Sequence, residues 1–90
     1  MNGLNFGEAL EQLRDGNRVG RAGWNGKGMW LQLVTDARFF DGAPVGLQLE
    51  PNGLVSVLEP FIVMYTAQGK WVPWLASQSD VLAWDWMVAP

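Results

Sequence analysis

The stretch "DGNRVGRAGWNGKGMWLQLVT", Asp15 to Thr35, decides how the chain is read, because the hydrophobic period changes inside it. Upstream, "NFGEALEQLR" places Phe6, Leu10 and Leu13 on one face at helical spacing, with Asn5 as cap and Glu8 closing a capping box. Gly16 stands in the C′ position that ends such a helix. Downstream, "MWLQLVT" sets Trp30, Gln32 and Val34 against Met29, Leu31 and Leu33, the two-residue period of a strand. Both sets are largely apolar, which predicts a strand at the centre of a sheet or at an interface. "NRVGRAG" reads as the strand before it, and Asn25-Gly26 is the commonest hairpin turn pair.

Further on, "FIVMYT" is a short apolar strand, "AQGK" a turn, and "WVPW" an extended segment whose proline favours a sheet edge. "SQSDVLAWDWMV" predicts a helix of about two turns, capped by Ser77 with Asp80 closing the box, followed by a strand over Trp86 to Val88. The order is helix, strands, short helix, strand, with no repeated β–α–β period. That predicts an α+β fold in a single small domain, residues 1–90: an N-terminal helix packed on a mostly antiparallel sheet, with a short second helix near the C-terminus. Asp36 to Pro60 carries turn signals at Asp41-Gly42 and Asn52-Gly53 and reads as a long variable loop or a small hairpin.

Composition narrows the function classes. The apolar share is 49% and charged residues make up 17%, against roughly 25% in an ordinary soluble domain; the excess points to surface buried by self-association. A net charge of −3 with six basic residues argues against polymeric nucleic acid, whose phosphates need a basic track. No run approaches the ~18 apolar residues of a membrane span, and nothing reads as a signal peptide. The expectation is a protein of the cytoplasm with no membrane partner.

The chain has no histidine and no cysteine, which removes Ser-His-Asp triads, Cys-His dyads and the usual zinc and copper ligand sets. Neither a metal nor a cofactor is expected. Asp80 and Asp85 remain as a carboxylate pair, but Asp80 is already explained as a helix-capping residue.

Flat aromatic surface is plentiful: six tryptophans in 90 residues. Trp30, Trp84 and Trp86 lie in helix or strand patterns and read as core or interface. Trp24 and Trp74 sit in loops, where burial is less automatic, and an indole stacks on any base. Glycines at 23, 26 and 28 permit positive φ and close approach of backbone amides to an anion, with Lys27 beside them and Asn25 offering an amide for a base edge or ribose. The plain alternatives are an Asn-Gly hairpin, a solvated lysine and a capping serine. "GRAGWNGKG" fails as a phosphate-binding P-loop, since five residues separate Gly20 from Gly26 and Gly28 stands where Ser or Thr should be.

Two stretches together, "FGEALEQLRDGNRVGRAGWNGKGMWLQLV" and "VPWLASQSDVLAWDWMV", resemble the phage-encoded Thoeris anti-defence proteins of the second type. The shared features are the front helix, an arginine followed by "GWNGKGM", and a closing W-x-x-S-Q-x-D-x-L-A-x-D-W segment; about half of the chain is covered. The resemblance implies a sponge in the host bacterial cytoplasm that holds a cyclic ADP-ribose-type immune signal intact. It further implies a homotetramer built as a dimer of dimers, with cyclic dinucleotides as a second ligand class. The residues it carries over are Trp24, Asn25, Gly26, Lys27 and Gly28 in the front turn, and Trp74, Ser77, Gln78 and Asp80 at the back; the mechanism expected from both readings sets the Gly26 to Gly28 amides, with Lys27 or Arg21, opposite a pyrophosphate. Trp30 and Trp84 depart from that family's pattern, where a smaller aromatic or a polar residue is expected. Two other readings stand beside it: an enzyme cleaving such a signal with Asp80 or Asp85 as general base, and an oligomeric structural domain that binds nothing.

Overall fold

Asn5 opens the first helix as its chemistry predicts. Its side chain accepts from the Glu8 amide at 2.8 Å, and Glu8 Oε1 accepts in return from the Asn5 amide at 2.9 Å. This reciprocal box starts α1, Phe6–Arg14. Gly16 ends it at φ +90°, a conformation that side-chain-bearing residues rarely adopt. The computed structural model describes residues 2–24, 28–35 and 59–89.

Five strands follow: β1 Val19–Arg21, β2 Trp30–Val34, β3 Phe61–Tyr65, β4 Trp71–Pro73 and β5 Trp86–Val88. They form one sheet in the order β4-β3-β2-β1-β5, and every neighbouring pair is antiparallel. A second helix, α2 Gln78–Leu82, lies between β4 and β5 in sequence. It is shorter than the predicted two turns, and it carries the chain from one sheet edge to the other. The α+β fold therefore stands as expected, with β2 central and Pro73 on an edge strand, where its missing N–H costs no ladder bond.

The pairing Val19↔Leu31 and Val19↔Val88, with strand alternation, places Val19, Leu31, Leu33, Ile62, Met64, Trp86 and Val88 on one face. There α1 lays Ala9 and Leu13 on the sheet, and Leu13, Val19, Leu31 and Trp86 are almost wholly enclosed. Full burial of such side chains stabilises by about 1.5–3 kcal/mol each. Leu4 pairs with Trp86 through Leu4 N–H to Trp86 O at 2.8 Å and Trp86 N–H to Leu4 O at 3.1 Å, which partly covers the β5 edge.

On the opposite face Val34 and Val63 are buried beside Phe61 and Trp71. Trp30 stacks on Tyr65 with centroids 4.4 Å apart, and the Arg18 guanidinium carbon sits 4.6 Å from the Trp30 centroid. Trp84 is not part of the core of the single chain, where it is 70% exposed, which leaves an interface as the remaining half of the expectation. The chain bends at Trp84 before β5 begins, so the alternation that buries Trp86 does not extend back to it. The loop or hairpin expected over Asp36 to Pro60 lies, but for the exposed Glu59 and Pro60, outside the described residues. None of the described helices is long and apolar enough to cross a membrane.

Candidate functional site

After Arg21 the chain leaves β1 into a 3-10 turn, Ala22–Trp24. A helical turn of any kind begins with N–H groups that have no partner within it. Here Asp85, which immediately precedes β5, supplies the acceptors for two of them and for the Arg21 side chain. Its Oδ1 accepts from Arg21 Nε at 2.8 Å, its main-chain oxygen from the Ala22 amide at 3.0 Å, and its Oδ2 from the Gly23 amide at 2.8 Å. Three consecutive residues, the last of β1 and the first two of the turn, thus donate to one residue of the back loop.

The back loop is built as a second capping box. Ser77 Oγ accepts from the Asp80 amide at 3.1 Å, and Asp80 Oδ2 accepts from the Ser77 amide at 3.0 Å and from Ser77 Oγ at 2.8 Å. Asp80 Oδ1 accepts from Arg21 Nη1 at 2.8 Å. The Asp80 main-chain oxygen accepts from Trp86 Nε1 at 2.9 Å, which satisfies the one polar atom of the buried indole.

These contacts fix the charges. Burial pushes the Asp80 carboxyl up, but the Ser77 amide, the Arg21 guanidinium and the Ser77 hydroxyl together outweigh it and hold it below the ordinary aspartate range. Asp85 is also lowered, first by the Arg21 hydrogen bond, against its burial, and then by the Gly23 amide. Arg21 is raised by its bonds to Asp85 and Asp80. All three groups stay ionised near neutral pH.

The aromatic residues of the two loops meet on Trp86. Trp24 approaches it edge-on with centroids 5.5 Å apart and planes at 80°, and Trp74 does the same at 6.0 Å and 86°. Phe6 of α1 touches both Trp86, at 5.4 Å, and Trp74, at 6.2 Å. At Gly20 the tight neighbour is the Met29 carbonyl oxygen, 3.1 Å from where a Cβ would stand, while the Trp24 ring at 3.8 Å would be in ordinary contact with it. Trp24 and Trp74 are half-buried, whereas Trp86 is fully enclosed.

Of the residues singled out from sequence, Arg21, Trp24, Trp74, Ser77 and Asp80 come together around Trp86. Gln78 is the exposed first residue of α2, and Gly28 is exposed with φ +73°. Asn25, Gly26 and Lys27, with the hairpin turn expected there, lie outside the described residues. Sequence reasoning weighed Asp85 only as a base and missed it as the clamp on the front loop. The signal was a carboxylate between two tryptophans in one motif and an arginine in the other. Among the described residues no group of three His, Cys, Asp or Glu side chains stands together to hold a metal ion.

Fold and site define a small α+β domain whose two sequence-distant aromatic loops are tied together by an arginine–dicarboxylate network. Residues 4–89 match the family model of the Thoeris anti-defense 2-like domain (Tad2-like), and the chain belongs to that family. It is 42% identical over 89 residues to Thoeris anti-defense 2 of Bacillus phage SP01, a match covering 92% of this chain and 91% of that protein. Membership supports the role of a phage protein acting against the Thoeris defence system.

Proposed function

We propose that the protein binds a cyclic ADP-ribose-type signal, glycocyclic ADP-ribose, and sequesters it uncleaved in the host cytoplasm, so that the Thoeris effector never receives it. The observation that carries this reading is the convergence of Trp24 and Trp74, both partly open, on the buried Trp86. In this reading their rings wall the adenine, a contact of roughly 1–3 kcal/mol per stacked base. Asn25 and Gln78 read polar edges, and Ser77 and Asp80 hold the back wall. The amides of Gly26 and Gly28 with Lys27 face the pyrophosphate. Arg21 commits Nε and Nη1 to carboxylates, which leaves it less of its guanidinium for an anion. Sub-micromolar affinity requires more than about 8 kcal/mol, within reach of two stacks and a few charge-assisted hydrogen bonds.

Sequestration without cleavage is favoured over hydrolysis by the state of the carboxylates. A general base works best with a pKa near the operating pH, and Asp80 and Asp85 are both held below the ordinary range while bonded to Arg21. Self-association into a homotetramer is part of the proposal and is supported by Leu75, Leu82 and Trp84, which stand largely in solvent in the isolated chain. Cyclic dinucleotides remain the second ligand class to screen.

Calorimetry with glycocyclic ADP-ribose tests the proposal, followed by denaturing the protein and recovering the ligand. Sub-micromolar binding, intact ligand on recovery, and loss of most affinity in Trp24→Ala with unchanged size on a sizing column are the expected results. Undiminished binding by Trp24→Ala sinks the assignment, and a cleaved ligand replaces the sponge with an enzyme.

A further inference from the structure

We propose that Asp85 is the positioning residue of the front loop: by accepting hydrogen bonds from Arg21, Ala22 and Gly23 it sets where Trp24 stands for ligand. The inference rests on the sequestration reading for its ligand and on geometry for the rest.

The contacts divide by function. The main-chain bond from the Ala22 amide to Asp85 O, at 3.0 Å, survives any substitution that leaves the backbone in place. The two side-chain bonds do not. Oδ1 is occupied by Arg21 Nε at 2.8 Å and Oδ2 by the Gly23 amide at 2.8 Å, so each carboxylate oxygen has its own donor. Gly23 immediately precedes Trp24, and its amide is bonded to the side chain of a residue that itself immediately precedes Trp86, the ring Trp24 leans on. The turn and the aromatic floor beneath it are therefore fastened to one point.

Residue 23 also stands close to the Asp85 carboxylate. A Cβ there would lie 3.0 Å from Asp85 Oδ2, so a methyl group would require the turn and the carboxylate to give by a few tenths of an ångström, while Arg21 Nη2 at 3.7 Å would be in ordinary contact. Arg21 is the cation facing Asp85, and Asp80 shares that cation at 2.8 Å. Asp85 is the only one of these two carboxylates bonded to the turn itself. An asparagine at 85 has a single acceptor oxygen, and its NH2 must face one of the two donors. A glutamate keeps both acceptors and the charge.

Asp85→Asn, Asp85→Glu and Gly23→Ala test this, each measured by amide hydrogen exchange and by calorimetry with glycocyclic ADP-ribose. In Asp85→Asn the Gly23 amide should exchange at least about tenfold faster, the effect of losing one charge-assisted hydrogen bond, while the Leu13 amide in α1 keeps its protection. Affinity should fall by a similar factor, and Asp85→Glu should recover part of both losses. If Asp85→Asn also strips protection from α1, Gly23→Ala is read in its place with the same expectations. Unchanged Gly23 exchange overturns the inference, as does faster exchange with wild-type affinity. A wild-type protein that binds no glycocyclic ADP-ribose overturns the sequestration reading and the ligand half of this one. In that case the Gly23 exchange still decides whether Asp85 sets the turn.

Discussion

Arg21 donates through Nη1 to Asp80 Oδ1 at 2.8 Å, joining β1 to the capping box of α2 across 59 positions of the chain. The pair is mostly enclosed, with side chains 19% and 13% exposed. Removing one partner of such a pair leaves the other charge with too few contacts, and Asp80 also satisfies the Ser77 amide and hydroxyl. Asp80→Ala should cost about 2–3 kcal/mol and lower Tm by roughly 10–20 °C in a domain of this size. Asp80→Asn, which keeps an acceptor, should cost less. Urea denaturation of both variants checks the order, and equal midpoints with wild type contradict it.

Acid titrates the same network. Asp80 and Asp85 both have folded-state pKa values below their ordinary ones. Their contribution is therefore fully present above the unfolded aspartate value of about 3.9 and is lost as pH falls through the lower folded-state values. With no histidine in the chain, stability should be nearly flat between about pH 7 and 5 and should fall below about pH 4. Denaturation midpoints across that range check it. In Asp80→Asn/Asp85→Asn the acid decline should shrink.

Trp86 is both a structural floor and a hydrogen-bond donor, and the two roles can be separated. Trp86→Phe keeps an aromatic ring but leaves the Asp80 carbonyl without its 2.9 Å donor, at an expected cost of about 1–3 kcal/mol. Trp86→Ala opens a large cavity under Phe6, Trp24 and Trp74 and should cost about 3–5 kcal/mol. Near-ultraviolet circular dichroism of the coupled indoles should weaken in both variants. A Trp86→Phe protein as stable as wild type assigns the hydrogen bond no net value.

What the sequence made legible was local. Asn5 with Glu8 and Ser77 with Asp80 are capping boxes whose partners lie three residues apart, and both formed as read. Pro73 marked an edge strand for the same reason, since a missing N–H is a property of the residue. Periodicity names a face but not what the face meets. Nothing in "WMV" says that β5 pairs with β1 on the far side of the sheet, nor that Asp85 bonds Gly23 across 62 positions. Ala9 is fully buried because α1 lies close on the sheet, whereas its small side chain gave little signal beside Phe6, Leu10 and Leu13. For Trp84 the sequence left core and interface open, and the bend before β5 decides against the core by turning the ring outward.

The outward turn of Trp84 has an energetic consequence that mass measurements can read. Leu75 is 91% exposed, Leu82 72% and Trp84 70%, on or beside α2, in a chain whose charged share is only 17%. Exposed side chains contribute little to the stability of the isolated fold, so charging them should change its denaturation midpoint by no more than about 0.5 kcal/mol equivalent. If they are covered by a second copy, the same charges must be desolvated or excluded from the interface, and association weakens by several-fold or more. Leu82→Lys/Trp84→Lys should therefore elute later than wild type from a sizing column at equal concentration and show a smaller mass by light scattering. Calorimetry with glycocyclic ADP-ribose on the dissociated variant then reads whether the proposed pocket is complete within one chain. Undiminished mass in the double variant excludes this patch from the assembly and leaves the opposite sheet face, with Trp30 and Tyr65, as the surface to charge next.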